Sequence, residues 1–136
     1  MYTAVTTMKG KDLYEGVASG HSVLMDTGSP EKQGQSPMEL LLTAVSGCAS
    51  VDVAEIMTKK RRQVDGLRVE VEADRREEPY PRIFTHIRLK FILTSSDAKD
   101  SELEQAVKLS MDKYCSVSGM LGQAAEISYS WAVEQG

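Results

Sequence analysis

Strict alternation of apolar and polar residues marks several stretches of the chain as strands. In "LRVEVEAD", residues 67–74, Leu67, Val69, Val71 and Ala73 fall on one face and charges on the other, the period-two signature of a half-buried strand. "IFTHIRLKFIL", residues 83–93, repeats it, with Ile87, Leu89, Phe91 and Leu93 expected inward and His86, Arg88 and Lys90 outward. The intervening "RREEPYP" makes the two a hairpin with a long, solvated turn. Near the other end "EISYSWAVE" alternates Ile127, Tyr129, Trp131 and Val133 with serines and Ala132, predicting a closing strand. At the N-terminus "MYTAVTTM", "LYEGVAS" and "HSVLMD" are separated by Lys9-Gly10-Lys11 and Ser19-Gly20, and predict a three-stranded meander. "TGSPEKQGQS", residues 27–36, has hardly an apolar group and reads as an exposed loop.

A different pattern begins at Ser36. Pro37 follows it and Glu39 lies three places on, a capping box with proline at the first helical position. From Leu40 to Met57 the polar residues are few: Thr43, Ser46, Ser50, Asp52 and Glu55. Apolar groups occupy most of that helix's circumference, so it is expected to be surrounded by protein, which hints at a second chain over its remaining face. The run Lys59 to Arg62 then complements the negative end of the helix dipole. Ser101 and Glu104 predict another capping box, opening a helix with Leu103, Ala106, Val107, Ser110 and Tyr114 at helical spacing and an end near Cys115. A short helix or turn broken by Gly119 and Gly122 follows. The expected fold is α+β, in the order βββ, buried helix, ββ, helix, short helix, β, as a single domain over residues 1–136.

Composition changes this picture little. The 41% hydrophobic and 26% charged residues exclude a disordered or fibrous chain. A net charge of -4, with "KKRR" the only basic run, argues against a nucleic-acid partner. No stretch of about 18 consecutive apolar residues predicts a membrane span. No basic-then-apolar leader follows Met1, so the expected location is the cytoplasm. In a reducing compartment two cysteines far apart in sequence are unlike a static bridge, and such pairs tend to be catalytic or redox-sensing when they join.

Those cysteines are the candidate chemistry. Cys48 follows Gly47 inside the apolar helix, where a glycine costs about 1 kcal/mol relative to alanine. Close approach of a neighbouring backbone or of a substrate would each explain it. Cys48 itself is either a small core hydrophobe or a shielded nucleophile. Cys115 stands between two helices whose termini pull its pKa in opposite directions, so its sign stays open. Two cysteines with His21 and His86 could supply four zinc ligands, but none has a partner at the usual short spacing. Glu39 could support a thiol site, although the capping box already explains it.

Taken together, the "SPMELLL" helix start, Ser-Gly-Cys in mid-helix, "RREE" with "PRIFTHI" in the hairpin and "KYCSV" after the second long helix resemble the OsmC/Ohr family of thiol-dependent hydroperoxide reductases, most closely its YhfA-like branch, over essentially the whole chain. The resemblance implies antiparallel sheets wrapped around paired central helices in an intertwined homodimer. It also implies a role in the oxidative stress response. Cys48 would be the peroxidatic thiol and Cys115 the resolving one, with organic hydroperoxides as substrates. A dithiol reductant, such as a lipoylated protein, would be the partner, and no cofactor or metal is called for. The family's peroxidases also use an N-terminal arginine and a glutamate at the start of the buried helix. Residues 1–35 here hold no arginine, Met38 falls where that glutamate is expected, Glu39 matches the motif's second glutamate, and Ser116 replaces the usual proline. The other class of function open to such a chain is a dimer that binds a lipophilic small molecule.

Overall fold

A computed structural model describes residues 1–28 and 30–136. They form two compact units, residues 1–43 and 44–136. The loop expected over 27–36 includes residue 29, which lies outside the described residues.

The first unit is the expected meander. Strands β1 (Val5–Gly10), β2 (Leu13–Ala18) and β3 (His21–Asp26) pair antiparallel in that order. Ser19 and Gly20, at φ 52 and 77, form the two-residue turn between Ala18 and its partner His21. Left-handed conformations at both central positions match the twist of paired strands. After β3 the chain folds back on the carboxylate of Asp26, which accepts the amides of Gly28 (3.1 Å) and Gln33 (3.2 Å). Gly34 is required here, because a Cβ would collide with the carbonyl oxygen of Leu24. The capping box is formed as expected: the Ser36 amide donates to Glu39 Oε1 at 2.9 Å and the Glu39 amide to Ser36 Oγ at 3.1 Å.

That box opens helix α1 (Pro37–Lys59). By length and composition α1 could cross a membrane, although no unbroken apolar run of that length is present. The expectation that protein surrounds it is not met within one chain. Only Val45, Ala49, Val53 and Met57 are fully buried, a single stripe at four-residue spacing, while Val51 remains 57% exposed.

In the second unit β4 (Gly66–Arg75) and β5 (Phe84–Thr94) form the expected antiparallel hairpin. Its turn is clamped by backbone contacts from arginine side chains: Arg75 Nε donates to the Arg82 carbonyl at 2.6 Å, and Arg76 Nε to the carbonyls of Pro79 and Pro81. β6 (Glu126–Glu134) adds to β5 in parallel, from Glu126 beside His86 to Glu134 beside Thr94, a pairing that alternation alone does not reveal. Ile87, Leu89, Phe91 and Leu93 are buried as expected; Ile92 is buried too, so both faces of β5 are covered at that end.

Helix α2 (Asp100–Leu109) packs against β6 through a face bearing the buried Leu103, Ala106 and Val107. The expected Ser101/Glu104 box is replaced by an earlier start. Glu102 accepts the Lys99 amide at 2.9 Å, so the reaching carboxylate is two residues nearer the loop, and Ser101 lies inside the first turn. The helix also ends early, giving way to a five-residue π turn, Ser110–Tyr114, before α3 (Ser116–Leu121).

The basic run after α1 does more than complement a dipole. The Arg61 amide donates to the Thr58 carbonyl and the Arg62 amide to that of Met57, a Schellman closure with Arg61 at φ 61. Arg62 Nε then meets both carboxylate oxygens of Glu102 at 3.0 and 2.9 Å, and Lys60 reaches Gln105. The run therefore ties the end of α1 to α2.

Candidate functional site

Cys48 projects from the middle of α1 in the second unit and is half-buried, whereas Cys115 is only 4% exposed. The π turn delivers Cys115: its amide donates to the Ser110 carbonyl at 2.7 Å, and its own backbone is extended. Its Sγ lies 4.0 Å from the carbonyl oxygen of Val45, three residues before Cys48 on α1. The Cys48 thiol is near enough to Cys115 to add to the rise in the Cys115 pKa. Two sulfurs that are far apart in sequence are thus brought side by side, both as free thiols.

Cys115 also caps α3, accepting the Ser118 amide at 3.4 Å, while Ser118 Oγ donates to the Cys115 carbonyl at 3.0 Å. The open sign of its pKa is settled by this setting. Burial pushes the thiol up, the Ser118 contacts pull it back in part, and the neighbouring Cys48 adds to the rise. Cys115 is accordingly held as a protonated thiol at neutral pH.

Gly47 excludes one of the two expectations for it, the approach of a backbone of the same chain. It is exposed, and a Cβ at this position would meet no atom of the chain within 4 Å, so no neighbouring backbone of the same chain requires a glycine. The space beside Gly47 is open.

The remaining candidates have other duties. Glu39 caps α1 and pairs with Lys32 at 2.8 Å; that hydrogen bond, with those from Ser36, holds its carboxyl down at about 2. Met38 is half-buried in the first turn of α1. His86 is held on the outward side of the second sheet: Nδ1 lies 3.2 Å from Arg88 Nη1 and Nε2 2.8 Å from Ser128 Oγ. Guanidinium only donates, so Nδ1 accepts and the ring carries its proton on Nε2, toward Ser128. Arg88 in turn grips Asp74 with two hydrogen bonds at 3.0 and 3.1 Å, which lowers the Asp74 pKa and raises that of Arg88. Among the described residues no three His, Cys, Asp or Glu side chains cluster as a metal site.

One contact near the thiols is not among the sequence candidates. Ser110, fully buried, donates its hydroxyl to Asp52 Oδ2 at 2.9 Å. Asp52 lies one turn after Cys48 on α1, and a charged residue four places from a cysteine in an apolar helix is the signal that could have found it.

A family model described as "OsmC-like protein" matches residues 28–130. The chain belongs to the OsmC family. It is 44% identical over 133 residues to Protein YhfA of Escherichia coli K12, covering 98% of each chain. Among solved structures it is similar to a protein of Aquifex aeolicus, with a TM-score of 0.90, 30% identity and coverage of 100% of this chain and 98% of that one. The fold extends to an organic hydroperoxide resistance protein of Legionella pneumophila, at TM-score 0.70, 13% identity, and 97% and 98% coverage. Within this family fold the part of α1 that carries Cys48, from residue 44 on, and Cys115 after the π turn both belong to the second unit, so the pair is assembled by one compact body of the chain.

Proposed function

We propose that the protein is a thiol-dependent peroxidase that reduces organic hydroperoxides. The observation that supports this best is the half-buried Cys48 thiol set against the buried, protonated Cys115 thiol. Cys48 Sγ, as the thiolate, attacks one peroxide oxygen; the O–O bond breaks, the alcohol leaves, and Cys48 becomes a sulfenic acid. Cys115 then condenses with it, forming the S–S bond and releasing water. A dithiol reductant, such as a lipoylated protein, returns both thiols and is itself oxidised to a disulfide. Such a cycle suits a reducing compartment, and we place the protein in the cytoplasm as a homodimer. The exposed apolar residues of α1, Val51 among them, support a second copy over that face.

A second reading has its own support. Residues 1–35 supply no arginine, and two of their three lysines are already paired, Lys9 with Glu15 and Lys32 with Glu39. A thiol without a nearby cation has little thiolate. The protein would then be a weak or inactive enzyme binding a lipophilic molecule beside Gly47.

Intact mass and free-thiol count after one equivalent of cumene hydroperoxide decide between them. The peroxidase loses two hydrogens; Cys115→Ser traps a sulfenic acid and Cys48→Ser does not react. Two free thiols that persist while a simple exposed thiol is consumed overturn the peroxidase and favour the binder.

A further inference from the structure

Ser110 makes three connections from one buried position. Its amide donates to the carbonyls of Ala106 and Val107 at the end of α2. Its carbonyl accepts the Cys115 amide at 2.7 Å, and its hydroxyl donates to Asp52 Oδ2 at 2.9 Å. The first fixes where α2 ends, the second sets where Cys115 begins, and the third fastens both to the helix that carries Cys48. Asp52 is four residues after Cys48, and helical side chains lean toward the N-terminus, so its carboxylate lies over the turn of the cysteine. The π turn has a second tether, Tyr129 of β6, whose hydroxyl lies 3.2 Å from Asp112 Oδ1. Held from both sides, the extra-wide turn presents Cys115 in one place. Turns of this kind are uncommon and are frequently found at functional sites.

We propose that Ser110 and Asp52 are the positioning pair of the thiol site: their hydrogen bond sets the effective concentration of Cys115 at Cys48 and thereby the rate and equilibrium of the disulfide step. The proposal rests on the thiol-redox reading above, but it concerns the meeting of two sulfurs rather than the identity of the oxidant. Neither residue touches the peroxide in this scheme. Their effect falls on the second step, in which the Cys115 proton and the Cys48 hydroxyl leave as water and the sulfurs join.

The test uses two oxidants on the wild type, Ser110→Ala, Ser110→Thr, Asp52→Ala and the Ser110→Ala/Asp52→Ala double variant. In glutathione buffers the protein dithiol reduces oxidised glutathione to two glutathione molecules and becomes a disulfide. Ser110→Ala is expected to lower that equilibrium constant about tenfold, a shift of about 30 mV. Ser110→Thr, which keeps the hydroxyl, stays near the wild type, and the double variant is no worse than either single one. With cumene hydroperoxide Ser110→Ala, Asp52→Ala and the double variant form the Cys48 sulfenic acid at the wild-type rate but hold it longer before condensation, whereas Ser110→Thr again follows the wild type. A wild-type potential in both Ser110→Ala and Asp52→Ala overturns the proposal, as does a wild type that forms no disulfide with glutathione. Asp52→Ala, at a half-buried site, serves if Ser110→Ala does not fold. Should peroxide fail to oxidise Cys48 while the glutathione shift is seen, the peroxidase reading falls and the positioning pair stands.

Discussion

Cys115 Sγ lies 4.0 Å from the Val45 carbonyl oxygen, so the buried thiol is lodged against the very turn of α1 that leads to Cys48. The two thiols are unequal because of it. Cys48 is reachable from solvent; Cys115 is not, and burial holds it protonated.

Alkylation should therefore be ordered. Iodoacetamide is expected to label Cys48 first, with Cys115 reacting only at higher pH. Since the Cys48 contact adds to the raised pKa of Cys115, Cys48→Ser should lower the pH at which Cys115 reacts without returning it to that of a free thiol. Peptide mass spectrometry across a pH series reads both, and equal labelling of the two would contradict the assignment.

Acid should loosen the start of α1. Glu39 is held at about 2 against an ordinary 4.5, first by the Lys32 hydrogen bond and then by Ser36. A depressed folded-state pKa contributes stability that is complete above the unfolded value and is lost as pH falls through the folded one. Urea midpoints of the wild type should thus fall more than those of Glu39→Gln between pH 4.5 and 2. Because the pair is exposed, added salt should shrink the difference.

Gly47→Ala separates what the chain needs from what its surface is for. A methyl meets nothing within 4 Å, and alanine is better than glycine in a helix by about 1 kcal/mol. Folding stability should rise by about that amount while dimer affinity or peroxide turnover declines, as measured by sedimentation and stopped flow. Unchanged association and turnover would mean that neither a partner nor a substrate uses the space beside Gly47.

The Schellman closure of α1 carries a side chain where glycine is usual. Arg61 sits at φ 61, which costs a residue with a Cβ about 1 kcal/mol. Arg61→Gly is expected to be stabilising by roughly that amount in urea unfolding, provided the Arg62–Glu102 pair is kept.

What the sequence determined by itself is what depends on short-range pattern and on motif. Alternation set the inward residues of β5, the Ser36/Glu39 spacing set the start of α1, and the placement of Cys48 and Cys115 in their flanking motifs pointed to the family. Tertiary structure decided the rest, because those features arise between segments distant in the chain. The parallel addition of β6 to β5 depends on a crossover through α2 and α3, which no local period encodes. The Ser101/Glu104 motif fitted a cap but lost to Glu102, whose carboxylate also meets Arg62 from the end of α1. A single residue of extra winding at Ser110 turned the end of α2 into a π turn and brought Cys115 to α1, and the Asp52 carboxylate that receives the Ser110 hydroxyl lies 58 positions earlier. The thiol site exists only through such contacts, which is why the sequence could name its two cysteines but not the pair that holds them together.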